Sequence, residues 1–214
     1  MSDVLLIGGS GLVGSLVLDR LTGPVDALLR RAVAVRPGLT QHVLPVAAWP
    51  AQATALAATT LVVTLGTTIK AAQSRPAFAL IDHDLVVGVA TAARNAGASH
   101  IILVSSVGAN RDSGNFYLAT KGAVEAAVTA LGFARVDIVR PGLLLGDRRG
   151  PARPMERLAM AMSPLSNLVT PRFADRYRAI DAATVAGAIV ALVNSRTDGV
   201  YVHHYRELVS IAGG

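Results

Sequence analysis

Residues 4–14 read VLLIGGSGLVG. Four apolar residues run into a cluster of glycines, of which Gly8, Gly11 and Gly14 fall three apart. The apolar run suits a buried strand, and the periodic stretch after it suits a helix. Glycine is costly in either interior, so its concentration at the junction needs a reason. Without Cβ atoms, backbone N–H groups can approach an anion closely, and a helix N-terminus adds about half a positive charge. Gly14, one turn in, lets the helix pack tightly on the strand. G-x-x-G-x-x-G between a strand and a helix is the setting of a dinucleotide phosphate loop, here Gly8, Ser10, Gly11, Leu12, Val13 and Gly14. The competing reading is a merely tight strand-to-helix turn.

The pattern that begins there continues. Short β-rich runs at 4–7, 25–29, 42–46, 61–65, 100–105, 136–139 and 200–203 alternate with helical stretches near 12–21, 51–58, 78–95, 117–131, 154–162 and 181–193. Asp181 is placed as a helix N-cap, and Gly97 and Gly132 as helix ends. Continuous apolar strands separated by helices indicate a parallel sheet covered on both faces. The expected fold is therefore α/β: one doubly wound, mostly parallel sheet in a single domain of residues 1–214, with the irregular, Arg-rich stretch 146–180 as a short C-terminal cover on the substrate side. Ligands of such sheets sit at the carboxyl ends of the strands, which is where functional residues are sought.

Composition narrows the classes. At 52% hydrophobic and 16% charged residues, the chain is not disordered and carries enough apolar mass for a large core. It has no cysteine, which excludes disulfides, thiol catalysis and cysteine-bound zinc. The apolar start lacks a basic segment ahead of it and meets glycines after four residues, unlike a secretory leader. The uncharged helical stretch 182–193 is 12 residues, too short for a bilayer. A cytoplasmic protein without a membrane partner is the default expectation.

The net charge is +6, and 18 of the 20 cations are Arg. Between Asp147 and Arg178 seven Arg face three acids. That segment could attract an anionic substrate or be simply a solvated surface. No basic run is interleaved with aromatics, which counts against nucleic acid.

The second strand ends in Leu29-Arg30-Arg31, where NAD-selective folds usually carry an acid for the ribose hydroxyls. No acid lies between Leu28 and Gln41. Two guanidiniums suit a 2′-phosphate, so NADP(H) is favoured over NAD(H). An ordinary basic turn is the alternative. Gly66-Thr67-Thr68 follows the fourth strand and could meet the cofactor, or either Thr could cap a helix.

The fifth strand ends in Ser105-Ser106, and Tyr117 and Lys121 follow at i, i+4, on one helix face. An ammonium beside a phenol stabilises the phenolate and makes Tyr a usable acid or base. A Ser hydroxyl at the neighbouring strand end can hold a substrate oxygen. Together they could form a hydride-transfer site, with the hydride carried by the cofactor, which Tyr117 and Lys121 would also contact, Lys121 by bonding the nicotinamide ribose. Tyr and Lys at this spacing also occur on ordinary solvated helices.

GGSGLVG, the strand-end SS, YLATK and VRPGLLLGDR resemble the short-chain dehydrogenase/reductase superfamily. LGTTIK, ALIDHDL and LVSSVGANRDSGNFYLATKGAVEAAV are similar to its atypical subgroup related to the human Tat-interacting oxidoreductase and its bacterial homologues. The likeness covers essentially the whole chain. It implies a Rossmann-type sheet, bound NADP(H), and a catalytic set of Ser106 (or Ser105), Tyr117 and Lys121. It also implies that Pro141, Gly142 and Leu143 line the nicotinamide end, and that the Tyr117 and Phe78 helices could pair two copies. It departs at Asp82, where many relatives carry Asn, at the Ala47-Ala48-Trp49 stretch, where an acid often meets the adenine, and at a Ser106–Tyr117 separation of 11 residues. The resulting expectation is an NADP(H)-dependent oxidoreductase for a small carbonyl or alcohol, possible anion included. The alternative is a non-catalytic NADP(H)-binding sensor or scaffold. His203-His204 invites a metal, but neighbouring strand residues point to opposite faces and do not chelate together.

Overall fold

A computed structural model describes residues 3–146 and 175–213. Seven parallel strands form one sheet in the order β3-β2-β1-β4-β5-β6-β9. They are β1 (Val4–Ile7), β2 (Val25–Leu29), β3 (Leu39–Val43), β4 (Thr60–Val63), β5 (His100–Val104), β6 (Arg135–Val139) and β9 (Gly199–His203). Two short strands, β7 (Leu144–Leu145) and β8 (Ile180–Asp181), pair separately.

The central strands are apolar along their length because both faces are covered. In β1, Leu5 and Ile7 join one core layer with Trp49, Val89 and Val128, while Val4 and Leu6 join the other with Val17, Val185 and Ile189. The first layer lies under α2 (Trp49–Ala55), α5 (Leu85–Asn95) and α6 (Phe116–Ala130). The second lies under α1 (Leu12–Arg20), α7 (Ala182–Val193) and α8 (Tyr205–Gly213). Strand order reverses between β1 and β4, so the switch point, where such sheets open a crevice, falls at the end of β1.

Several boundaries differ from expectation. The third strand is Leu39–Val43 rather than 42–46. It is an edge strand of mixed exposure, so its apolar content was a poor guide. Pro45 has no N–H to donate, and Leu44 and Val46 pack on the core only after the chain has left the sheet. The second helix runs Trp49–Ala55, with Pro50 in its first turn, rather than 51–58. The stretch near 78–95 begins earlier, at α4 (Arg75–Ala79), with Ser74 accepting from the Ala77 N–H at 3.2 Å. It passes through a π-helical turn, Leu80–Asp84, into α5. That 21-residue helix, Arg75–Asn95, is long and apolar enough by length and composition to cross a membrane. Here it lies on the sheet, with Phe78, Val86, Val89 and Ala93 buried in the core. Asp181 stands at the N-cap of α7 but its side chain makes no capping bond. Gly97 and Gly132 do end helices, with φ of 106° and 75°. Two further helices were not anticipated, α3 (Ile69–Ala72) and α8. The helix expected at 154–162, and most of the Arg-rich segment, lie outside the described residues.

Candidate cofactor cleft and active site

At the β1–α1 turn the three spaced glycines have separable roles. Gly8 has φ +89°, and a Cβ there would stand 2.4 Å from the Leu65 amide nitrogen. The end of β4 is pinned alongside by Thr64, whose backbone N–H and Oγ1 both donate to the Ile7 carbonyl at 2.9 and 3.0 Å. A Cβ on Gly14 would meet the Gly8 carbonyl oxygen at 2.2 Å, so this glycine permits helix-on-strand contact, as expected. Gly11 is the least constrained of the three, its Cβ position meeting one atom, the Gly8 oxygen, at a tight 3.2 Å. It caps α1 without a side-chain bond, and no acid lies in the first turn. The loop that leads into that turn borders a cleft lined by Gly8, Gly9, Ser10 and Gly11, by Arg30 and Arg31, and by Trp49 and Gly66. This cradle, glycine at three of its four loop positions and flanked by two exposed guanidiniums, fits a dinucleotide's phosphates. Leu12 is half-buried beneath Gly146, and Val13 is in the core.

From Gly66 the path continues to the second group of residues. A Cβ on Gly66 would lie 3.6 Å from Asp82 Oδ1 and 3.7 Å from Lys121 Nζ. Lys121 is buried and forms an ion pair with Asp82 at 2.7 Å. Asp82 comes from the π-helical turn, and its other oxygen accepts the Thr67 backbone N–H at 2.8 Å. Burial, the largest single influence, would lower the Lys121 pKa, but Asp82, Tyr117 and Glu125 together outweigh it, and the ammonium is held above its ordinary value. Tyr117, one turn back on α6, packs its ring against Phe78 at 5.8 Å. One turn forward, Glu125 accepts from Arg140 Nε at 2.9 Å at the end of β6.

The β5–α6 loop wraps the start of α6. The Asn110 N–H donates to the Leu118 carbonyl, and a Cβ on Gly122 would strike the Arg111 amide nitrogen at 2.2 Å. Ser105 and Ser106 are both buried at the head of this loop. Ser106 Oγ donates to the Val107 carbonyl at 3.3 Å, whereas Ser105 Oγ has no partner among the described residues. The Pro141 carbonyl accepts the Val107 N–H, and Gly142 passes close against the carbonyls of Tyr177 and Arg178. The Leu143 carbonyl accepts the Ile180 N–H at 2.9 Å. Thr68 caps α3, its hydroxyl accepting from the Ala71 N–H at 3.1 Å.

The geometry adds residues that the motifs did not single out. Trp49, the one Trp of the chain, lines the phosphate cleft. Asp82 grips Lys121, a role its sequence position hinted at only as a departure. The two adjacent histidines do point apart. His203 Nε2 bonds Asp137 at 2.7 Å, while His204 lies near Arg140 and Glu207, its pKa lowered by burial and then by Arg140. No metal cluster exists among the described residues.

No protein-family model matches the chain. It is 36% identical over 212 residues to the mitochondrial protein fmp52 of Aspergillus fumigatus, covering 93% of this chain and 90% of that one. The chain belongs to the fmp52 family. A second member, mitochondrial FMP52-1 of Scheffersomyces stipitis, is 33% identical over 186 residues, 80% of this chain and 82% of the relative. These names overturn the expectation of a cytoplasmic protein, which rested on the lack of a secretory leader and on no positive signal; the fmp52 relatives point to mitochondria.

Solved structures share the fold of this chain. MoeE5 in complex with UDP-glucose and NAD superposes with a TM-score of 0.70 at 18% identity, over 99% of this chain and 81% of that one. Thermus thermophilus UDP-glucose 4-epimerase, solved with NAD, gives 0.68 at 17%, over 98% and 82%. Bordetella bronchiseptica WbmH, solved with NAD+, gives 0.69 at 16%, over 95% and 75%. The sheet is thus of the Rossmann type seen in these NAD complexes.

Proposed function

We propose that the protein is a dinucleotide-dependent oxidoreductase that reduces a small carbonyl compound or oxidises the matching alcohol. The observation that carries this reading is continuity. The cleft over the Gly8–Gly11 cradle reaches Gly66, whose Cβ position would lie 3.7 Å from the Lys121 ammonium, so a nucleotide held at the glycines and extending past Gly66 would approach Lys121 and Tyr117. The Rossmann neighbours, solved with NAD, support a nicotinamide cofactor. The Arg30-Arg31 pair supports NADP(H) in place of NAD(H) in this chain. The motifs from Leu103 to Arg148 support placing it near the atypical reductases related to the Tat-interacting oxidoreductase.

The bound nicotinamide supplies the hydride. The chain supplies the rest. Ser106 or Ser105 holds the substrate oxygen, Tyr117 gives it a proton during reduction and takes one during oxidation, and Lys121 keeps positive charge next to the phenol. Pro141, Gly142 and Leu143 close the nicotinamide end. Following NADPH absorbance across a panel of small aldehydes and ketones tests this. Turnover should fall at least about a hundredfold in Tyr117→Phe, the usual lower size of acid–base catalysis, with NADPH affinity unchanged. Binding without turnover of any panel member would assign the protein to a non-catalytic NADP(H)-binding role instead.

A further inference from the structure

The helix Arg75–Asn95 carries an irregularity at one place, the π-helical turn Leu80–Asp84. Such turns arise where an extra residue is accommodated, at a cost in regular hydrogen bonding, and they gather at functional sites. This one presents Asp82 inward, 1% exposed. Both of its oxygens are engaged: one by Lys121 Nζ at 2.7 Å, the other by the Thr67 N–H at 2.8 Å. One carboxylate therefore joins three elements, the π turn, α6 and the loop after β4. A buried unpaired carboxylate would be expensive, and so would a buried unpaired ammonium. Each is tolerated here because of the other.

We propose that Asp82 is the positioning residue of the site: its carboxylate holds Lys121 as a buried ammonium one helical turn from Tyr117 and ties that helix to the cofactor-side loop through Thr67. The proposal rests on reading the Tyr117–Lys121 face as the hydride-transfer centre. Asp82 is buried behind Lys121 and acts through it. The charged groups facing Lys121 are few. Asp82 approaches from the π turn, and Tyr117 and Glu125 from its own helix. Glu125 already shares its carboxylate with Arg140 from the end of β6. With Asp82 neutral, burial would dominate and Lys121 would lose its proton at a lower pH.

The chain has two lysines, Lys70 exposed and Lys121 buried, so both can be followed separately. Lysine labelled with 13C at Cε gives two NMR signals, assigned with Lys70→Arg and titrated without substrate or cofactor. In the wild type Lys121 should titrate above Lys70. In Asp82→Asn it should titrate at least one pH unit below Lys70, and the alkaline limb of the turnover profile should move down with it. Asp82→Glu, which keeps the charge, should hold Lys121 above Lys70. Lys121 titrating with or below Lys70 in the wild type overturns the proposal, as does an unmoved Lys121 in Asp82→Asn. If Asp82→Asn does not fold, the wild type and Asp82→Glu decide. A parallel NADPH titration of the wild type separates the outcomes. Absent binding defeats the functional reading, whereas the lysine titrations judge Asp82 independently.

Discussion

Gly11 and Gly14 lie three residues apart on the same turn, yet substitutions at them should fail in opposite ways. A Cβ on Gly14 collides with backbone at 2.2 Å, so Gly14→Ala must push α1 off the sheet. Overpacking of this kind costs about 1–3 kcal/mol, which urea unfolding would measure. Gly11→Asp meets only one atom at 3.2 Å and places a favoured N-cap residue at the helix start. It should unfold like the wild type. Its carboxylate would stand where the phosphates bind, so nucleotide affinity should vanish. Equal destabilisation by both substitutions would contradict the division of roles.

Elements were legible in proportion to how much local sequence determines them. The strands buried on both faces, such as β1 and β5, were read to within a residue because burial on both faces makes them continuously apolar. The edge strand β3 was displaced because Leu44 and Val46 are apolar for packing beside the sheet, not for pairing within it. Nothing local marked the π turn. It accompanies the tertiary pairing of Asp82 with Lys121 and Thr67, partners 39 and 15 residues away along the chain. At the site, the glycine loop, the Arg pair and the Tyr–Lys spacing were readable, whereas the ion pair that charges the Lys was not.

A second charged cluster shows the same dependence on tertiary structure and belongs to β5, β6 and β9 jointly. Asp137 receives His100 and His203 at 2.7 Å each and Arg135 at 2.6 and 2.9 Å. Burial alone would raise its pKa, but these donors hold it well below the usual carboxylate range. A depressed carboxylate stabilises the fold above its unfolded value and loses that contribution as the pH falls. Asp137→Asn should therefore cost about 3–5 kcal/mol at neutral pH, the size expected for breaking a buried pair. The gap to the wild type should narrow below roughly pH 4, the unfolded carboxylate value. Denaturant midpoints measured at several pH values check this, and a gap that widens toward acid pH would contradict it.

Across the whole molecule the two charged systems take different parts of the sheet. Asp137 joins the neighbouring strands β5, β6 and β9, and this cluster ties three strands together away from the glycine loop. The strand ends at the β1–β4 switch point remain open as the crevice. The fold thus combines a tied region with a ligand-receiving edge, as doubly wound sheets do. The single Trp of the chain lies in that crevice, so occupancy of the site can be observed directly. The most direct measurement is the quenching of Trp49 fluorescence, with energy transfer to reduced nicotinamide, on titration with NADPH and NADH. The account predicts saturable binding of both, tighter for NADPH, with the preference lost when Arg30 and Arg31 are both changed to Ala. No saturable change with either nucleotide would contradict the cofactor cleft, and equal losses for both nucleotides in the double variant would contradict the 2′-phosphate assignment.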